Sequence, residues 1–158
     1  MSGTEKGFEP DAKMTRAMLV TVLFRLNGGK KTETDVVFND IENGKWYTDS
    51  VLWAASVGIV SGVGDNNFAP DSEITREQMA VILYNFAKYK NQINDKTQNE
   101  KIDEFEDFDD VSDYAKDAVS WANGEGFISG ESKNTLNPKN TATRAQIASL
   151  LMRYCEAE

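Results

Sequence analysis

The segment 68–80 reads FAPDSEITREQMA, and its pattern decides the fold of this chain. A proline lies five residues before a Thr-Arg pair, an apolar residue lies two places before the proline, and an apolar run follows the arginine. The same frame occurs three times, which predicts an array of structural repeats with one arginine at the same place in each. The three frames contain Phe8, Pro10, Thr15 and Arg16; Phe68, Pro70, Thr75 and Arg76; and Leu136, Pro138, Thr143 and Arg144.

Each arginine is followed by apolar residues at helical spacing, as in Leu19, Val20 and Leu23 of the first copy. The apolar face is wide, so we expect three mostly buried helices that pack together as a central bundle. A threonine that can cap the helix precedes each arginine, and a glutamine three residues later completes a capping box in two copies. The pairs are Thr75 with Gln78 and Thr143 with Gln146, whereas Thr15 is paired with Met18.

A first half-repeat precedes this frame in the second and third copies only. It runs from Phe38-Asn39-Asp40-Ile41 to Gly62, and from Phe108-Asp109-Asp110-Val111 to Gly130. In this alignment the second copy has two extra residues near Gly44. We expect short helices over roughly 48–57 and 114–124, each ended by a glycine in the left-handed conformation. The glycines are Gly58 and Gly126, and the helices carry Trp53 and Trp121, which we expect in the core.

Nothing equivalent precedes Phe8, so the first copy lacks its first helix. We therefore expect apolar surface beside the first long helix, filled by a second chain unless the chain has been cut there. The predicted organisation is a partial first repeat with a linker over 1–36, a second repeat over 37–90, an acidic and polar linker over 91–106, and a third repeat over 107–158.

The composition excludes several functional classes. The net charge of -9 argues against binding to nucleic acid or to an acidic membrane surface. There is no histidine and one cysteine, Cys155, so Ser-His and Cys-His nucleophile pairs and cysteine-rich metal sites are impossible. We expect no enzyme, no cofactor and no metal site, and we place Cys155 in the core. The segment beginning at Asp65 starts like a calcium loop, but Pro70 and Arg76 occupy positions that such a loop needs for glycine and glutamate.

No apolar stretch approaches the ~20 residues that a membrane-spanning helix needs. Met1-Ser2-Gly3 is followed by no apolar signal segment, so the start resembles a cut end rather than a natural N-terminus.

The combined pattern resembles the S-layer homology (SLH) repeat of bacterial surface proteins. It consists of Phe-x-Asp-Ile/Val, a tryptophan, Gly-Ile/Phe-Val/Ile-Ser-Gly, Phe/Leu-x-Pro and Thr-Arg-Glu/Ala-Gln. The match is close over 38–89, good over 108–154, and restricted to the second half of the repeat over 8–26. The resemblance implies an all-α, pseudo-threefold spindle of helix-loop-helix repeats. It also implies an extracellular module of the cell wall or S-layer, which binds secondary cell-wall polymer, often pyruvylated, without a covalent bond.

The resemblance further implies that ligand lies in grooves between neighbouring repeats. Transferred by motif, the groove residues are Arg16, Arg76 and Arg144, together with the opening aspartates Asp40 and Asp110. The first copy has no opening aspartate. The family commonly has glutamate at the fourth motif position, where this chain has Gln78, Gln146 and Met18.

A physical argument also favours the arginines. An acidic protein that binds an acidic polymer needs local attraction, and a guanidinium grips a carboxylate through paired hydrogen bonds. We expect the amides and dipole of each helix N-terminus to add to this attraction. Trp46 is a candidate for stacking on a sugar ring.

Two alternatives remain open at this point. Each arginine could instead pair with the opening aspartate of a neighbouring repeat and hold the repeats together. The module could also serve as a protein-interaction or assembly module of a surface protein, since helical repeats offer extended docking surfaces.

Overall fold

The computed structural model describes residues 9–93, 101–132 and 134–157, and these residues form an all-α fold without a named strand. The class predicted from sequence is confirmed; the overall pseudo-threefold spindle stays a prediction. Short 3-10 turns cover Ile102–Glu104, Phe108–Asp110 and Asp113–Ala115. The α-helices are α1 (Arg16–Leu26), α2 (Thr48–Ser56), α3 (Arg76–Tyr89), α4 (Lys116–Gly124) and α5 (Arg144–Glu156).

The long helices α1, α3 and α5 begin at the three arginines because a threonine caps each of them. The Thr75 and Thr143 hydroxyls accept the amides of Gln78 and Gln146, and each glutamine side chain accepts its threonine amide in return. Thr15 accepts the amide of Met18 without the reciprocal bond. Both predicted capping boxes and the half box are therefore confirmed.

The short helices α2 and α4 end as predicted. Gly58 and Gly126 follow them with φ of 77° and 74°, a region that favours glycine because it has no Cβ. Within the helices, Trp53 and Trp121 are 3% and 2% exposed. The prediction that both tryptophans belong to the core is confirmed.

A closed ring of three backbone hydrogen bonds joins the segments that lead into the long helices. The Met14 amide donates to the Ala142 carbonyl at 3.1 Å, the Ala142 amide to the Ile74 carbonyl at 2.8 Å, and the Ile74 amide to the Met14 carbonyl at 2.9 Å. All three residues are buried. The ring closes the chain on itself, since it links the first copy directly to the third.

The long helices α1 and α3 each pack against the short helix that follows in the chain, α1 on α2 and α3 on α4. Trp53 contacts Phe24 of α1 and Phe86 of α3, with ring centroids 5.4 and 6.5 Å apart. Trp121 contacts Tyr84 of α3 at 5.3 Å. The tryptophan of each short helix thus joins the core of its own repeat to that of the preceding one.

Apolar side chains are exposed where this pattern has no short helix. Leu26 of α1 is 48% exposed, although its equivalent in α3 is the buried Phe86. Met152 of α5 is 55% exposed, although its equivalents Phe24 and Tyr84 contact tryptophans. Exposed apolar surface beside the first long helix was predicted, and the structure adds the corresponding face of α5.

The prediction that Cys155 lies in the core is wrong, since its side chain is exposed. The equivalent residue of α3 is Ala87, which is fully buried. Cys155 follows Met152 by one helical turn, so both residues lie on the face of α5 that no short helix covers within the described chain.

A buried carboxylate joins the second and third repeats. Glu77, at the second position of α3, is 4% exposed. It accepts hydrogen bonds from the Ser112 amide (2.9 Å), the Ser112 hydroxyl (2.9 Å), the Tyr114 hydroxyl (3.3 Å) and the Lys139 ammonium (2.7 Å). We call these four residues the Glu77 cluster.

The Glu77 cluster makes stability depend on pH. Burial alone would raise the pKa of the Glu77 carboxyl, but hydrogen bonds from Lys139 and Ser112 and the charge of Lys139 lower it below the usual value. Because the pKa is lower in the folded state, the cluster stabilises the protein fully above the unfolded-state pKa of about 4.3. This stabilisation is lost as the pH falls through the folded-state value.

We therefore expect Glu77→Gln to lower the free energy of unfolding by about 1–3 kcal/mol at pH 7, because a charged acceptor of several bonds is lost. The difference from the wild type should shrink as the pH falls below about 4.3. Urea titrations at pH 7 and pH 3 measure both effects, with the exposed Glu33→Gln as control. A difference that stays constant across this range would contradict the assignment.

Candidate functional site

Arg16 and Arg76, which begin α1 and α3, each reach into the next repeat along the chain. Nε of Arg16 donates to the Phe68 carbonyl at 2.9 Å and Nη2 donates to the Ser61 carbonyl at 3.2 Å. Its guanidinium also lies 4.8 Å from the centroid of the Phe68 ring. Arg76 repeats the pattern, donating to the carbonyls of Leu136 (2.7 Å) and Ser129 (2.8 Å).

The opening aspartates hold the loops that receive these arginines. Both carboxylate oxygens of Asp40 accept backbone amides, from Phe68 at 2.8 Å and from Ala69 at 2.6 Å. The aspartate therefore binds the amide of Phe68 while Arg16 binds its carbonyl. Direct pairing of arginine and aspartate, one part of the scaffold alternative, is wrong for this junction, because both bind the same backbone segment instead. The other part is confirmed, since Arg16 does hold the first two repeats together.

The equivalent of Asp40 in the third repeat is Asp107, and the predicted alignment of Asp110 with Asp40 is wrong. Asp107 accepts the amides of Leu136 at 2.8 Å and Asn137 at 2.7 Å. Asp110 is exposed at the end of a 3-10 turn. The segment from Asp107 to Trp121 is accordingly one residue longer than the segment from Asp40 to Trp53. The alignment on Asp110 had made it two residues shorter.

The third repeat also begins before residue 107. Gly130 lies so close to Phe105 that an added Cβ would be 3.1 Å from its ring, and Gly62 has the same relation to Phe38 at 3.3 Å. The Glu106 amide donates to the Asn134 carbonyl at 2.9 Å, as the Asn39 amide does to Asn66. Residues 105 and 106, which were predicted to belong to the linker, thus take part in the repeat.

A groove of about 390 Å³ lies beside Arg16. One wall is the loop from Ile59 to Val63, and the other is the α3 face. The third repeat contributes Tyr114, whose side chain is 63% exposed. The α3 residues that line this groove are Gln78, Val81, Ile82 and Asn85. We call it the Arg16 groove.

An equivalent groove of about 270 Å³ lies beside Arg76, between the loop 127–129 and the α5 face. Ser149 and Arg153 of α5 occupy the places of Val81 and Asn85. Glu131 lies near its arginine, with Oε1 3.8 Å from Nη1 of Arg76. We call it the Arg76 groove, and it is the more polar and more highly charged of the two.

Burial lowers the pKa of both guanidinium groups from the usual arginine value. Tyr114 and Asp40 partly offset this effect for Arg16, and Glu131 and Asp107 do so for Arg76. Both arginines stay protonated, since the arginine pKa is far above neutral. Among the described residues, no hydrogen bond uses Nη1 of Arg16, so this group can donate to a ligand.

Partial burial by itself would raise the pKa of Glu131. A hydrogen bond from Gln146 at 2.8 Å and the charge of Arg76 instead lower it below the usual value. Glu131 is therefore ionised at neutral pH and competes with any anion for Arg76.

The helix N-termini have fewer free amides to offer a ligand than the sequence suggested. The Arg16 amide donates to the Ser72 carbonyl at 3.0 Å and the Ala17 amide to the Pro70 carbonyl at 3.1 Å. The first amides of α3 and α5 make the same bonds to neighbouring repeats. Because these amides are already used, the guanidinium groups are the groove donors.

Two further predicted residues lie outside these grooves. Arg144 is buried at the start of α5, and its amide donates to the Ala12 carbonyl at 2.9 Å. The equivalent of Phe68 and Leu136, whose carbonyls bind Arg16 and Arg76, is Phe8 for this arginine, and Phe8 is outside the described residues. Trp46 is 58% exposed and lies two residues before α2, as Tyr114 lies two residues before α4.

Sequence reasoning missed Tyr114, Arg153 and Asn85. Tyr114 had a signal, since it lies seven residues before Trp121, just as Trp46 lies seven residues before Trp53. The position of Arg153 and Asn85 also had a signal, since the first copy carries Arg25 there and two of the three copies therefore share an arginine.

A family model of the S-layer homology domain matches residues 37–80 and 104–148, which is more than half of the chain. The chain therefore belongs to the S-layer homology domain family. The matches begin one residue before Phe38 and one residue before Phe105, in agreement with the pairing of Asp40 and Asp107. Domains of this family are non-catalytic modules that anchor proteins at the cell surface.

Several longer proteins are similar over nearly the whole chain. An exoglucanase XynX of Acetivibrio thermocellus is 34% identical over 97% of this chain and 14% of the relative. A surface-layer 125 kDa protein of Lysinibacillus sphaericus is 30% identical over 94% of this chain and 12% of the relative. A cellulosome-anchoring protein of A. thermocellus is 25% identical over 94% of this chain and 33% of the relative. This chain thus spans a third or less of each relative.

The placement of Asp107 leads to a test by substitution. We expect Asp107→Asn to lower the free energy of unfolding by about 1–3 kcal/mol, because an amide group cannot accept both backbone bonds. Asp110→Asn should change it by less than about 0.5 kcal/mol, as is usual at an exposed position. Chemical denaturation measures both, and equal losses from the two variants would contradict the alignment of Asp107 with Asp40.

Proposed function

We propose that this module attaches its parent protein to the bacterial cell wall from outside the cell, by binding an anionic secondary cell-wall polymer in the grooves between repeats. Pyruvylated sugars are the anionic units that we favour. The supporting observation is that two equivalent grooves each present a buried guanidinium group. None of the helices in the described ranges is long and apolar enough to cross a bilayer.

In this proposal Arg16 and Arg76 contact the anionic group directly, and Arg144 does so in a third groove. Asp40 and Asp107 act indirectly by holding the loops that complete each groove. Trp46 occupies in the second repeat the place that Tyr114 has in the third, so we assign it to the groove of Arg144. Asp110 has no part in the proposal, since it lines neither described groove.

The net charge of -9 makes long-range attraction to an anionic polymer unfavourable, so binding must rely on local contacts. A charged hydrogen bond contributes about 1.5–3 kcal/mol, or roughly a 10- to 100-fold change in affinity. Several grooves on one polymer add avidity, because the second contact is intramolecular once the first has formed.

Removing the arginines is a poor test of this function. Without its guanidinium, Arg76 would leave the carbonyls of Leu136 and Ser129 without a donor, at a cost of about 1–3 kcal/mol each. A loss of binding would then be confused with a loss of structure. Filling the grooves from positions that make no such bonds is the cleaner approach.

We expect Val81→Trp to block the Arg16 groove and Ser149→Trp to block the Arg76 groove. Each single variant should sediment less with purified sacculi than the wild type, and the double variant should lose at least tenfold in affinity. Asn43→Trp, at an exposed loop position, is the matched control. Thermal melting checks that all variants remain folded.

The sedimentation experiment is repeated with sacculi from which the attached polymer has been chemically removed. Binding of the wild type should disappear with the polymer. Binding that survives stripping, or a folded double variant that sediments like the wild type, would contradict polymer binding in the grooves.

A second candidate function is assembly with another chain, which the exposed Leu26 and Met152 support. We propose that the face between α1 and α5 accepts a tryptophan-bearing helix of the α2 type from a second chain. Light scattering should then show a mass that rises with concentration, and Met152→Glu should abolish the rise. A monomer at all concentrations would contradict this candidate.

A further inference from the structure

Tyr114 links a groove between the first two repeats to the third repeat. Its ring lines the Arg16 groove although Tyr114 lies just before α4. Its hydroxyl donates to Oε1 of Glu77 at 3.3 Å. A side chain that is 63% exposed needs such a bond to keep one position, because solvent contacts do not restrain it.

Glu77 holds the Tyr114 segment at two points. Besides the tyrosine hydroxyl, it accepts both the amide and the hydroxyl of Ser112, each at 2.9 Å. Lys139 donates to the same carboxylate at 2.7 Å and also contacts the Ser112 hydroxyl. The backbone two residues before Tyr114 and the far end of its side chain are thus fixed by one buried group.

This cluster is not a requirement of the repeat. The places of Glu77 and Lys139 are taken by Ala17 and Asp71 at the junction of the first two repeats, and by Ala145 and Asp11 at the closing junction. The backbone bond from the second helical residue to the proline carbonyl forms at all three junctions, at 3.0–3.1 Å. Junctions therefore form without the ion pair between Glu77 and Lys139. What this junction has in addition is the bond from Glu77 that holds Tyr114.

The two grooves differ accordingly in what they present to a ligand. The Arg16 groove has exposed apolar surface from Val63 and Tyr114, whereas Arg153 gives the Arg76 groove a second cation. Neither groove has a carboxylate among its described lining residues. Glu131 has the place in the third repeat that Val63 has in the second, and its Oε1 lies 3.8 Å from Nη1 of Arg76, beside that groove. An anion that binds Arg76 competes with that carboxylate, whereas the Arg16 groove combines its cation with the exposed aromatic side chain of Tyr114.

We propose that Glu77 is a positioning residue that holds Tyr114 as an aromatic wall of the Arg16 groove, and that this groove selects a sugar bearing a carboxylate. The carboxylate binds Arg16 through charged hydrogen bonds, and the apolar face of the pyranose ring packs on Tyr114. This inference rests on the proposed binding of cell-wall polymer and specifies how the Arg16 groove holds the sugar ring beside the anionic group.

The binding test is a double-mutant cycle in the Ser149→Trp background, which closes the Arg76 groove. Calorimetry with purified pyruvylated cell-wall polysaccharide should show affinity losses of about three- to tenfold for Glu77→Ala and for Tyr114→Ala. The double variant should bind no more weakly than Tyr114→Ala, because Glu77 acts through the ring. Tyr114→Phe, which removes only the hydroxyl, should resemble Glu77→Ala even if the latter folds poorly.

Equal losses from Glu77→Ala with and without the Tyr114 ring would overturn the positioning role and indicate general destabilisation. Polysaccharide from which pyruvate has been removed by mild acid is the ligand control. It should bind at least tenfold more weakly, and equal binding would overturn selection of the carboxylate.

A measurement without ligand separates this proposal from the broader one. Burial and the Glu77 charge raise the pKa of Tyr114 above the usual tyrosine value. Carbon-13 labelling of the tyrosine rings should show its titration moving to lower pH in Glu77→Gln, with Glu33→Gln unchanged. If the Tyr114 titration is the same in Glu77→Gln and in the wild type, Glu77 does not hold the ring, whatever the protein binds. If the titration moves but the wild type binds no polysaccharide, the cell-wall function fails and the positioning contact stands.

Discussion

The closed ring of backbone hydrogen bonds among Met14, Ile74 and Ala142 is the constraint on which the rest of the structure depends. It brings the three Thr-Arg pairs to one end of the fold, so each long helix begins against its neighbours. The first amides of every long helix are then satisfied by the adjacent repeat rather than by water or ligand. With the amides occupied, the arginine side chains are the groups left to face the grooves.

The arginines combine a structural role with the proposed binding role, and the geometry explains how both are possible. Nε and Nη2 of Arg16 hold the loop of the next repeat, and the same residue lines the groove. A flexible cation would lose conformational entropy on binding an anion, whereas Arg16 is already fixed by two carbonyls and by the Phe68 ring. The structural bonds thus prepare the side chain for the ligand.

Features set by local chemistry could be predicted from sequence, including the helix starts at Thr75 and Thr143 and the left-handed glycines. The register of the third repeat could not. Phe105-Glu106-Asp107 and Phe108-Asp109-Asp110 both fit Phe-x-Asp, and only distant contacts with Gly130 and the Leu136 amide select the first. The predicted burial of Cys155 failed for a similar reason, since burial of that face of α5 depends on a short helix from a neighbouring repeat. The grooves were expected between repeats, but their unequal walls follow from Glu131 and Tyr114, which lie outside the repeated motif.

Arg16 and Arg76 each extend from their own repeat into the next one, and this affects how such a module can evolve. The unit that gene duplication copies is a repeat, but the unit that binds is a junction, and the two are out of step by half a repeat. A substitution in one repeat therefore alters a groove whose arginine is encoded in the repeat before it, and Tyr114 extends this dependence across two junctions. Exchanging the second and third repeats would separate Glu77 from Lys139 and leave Tyr114 beside a different arginine. Once the junctions have diverged, the order of the repeats carries information of its own.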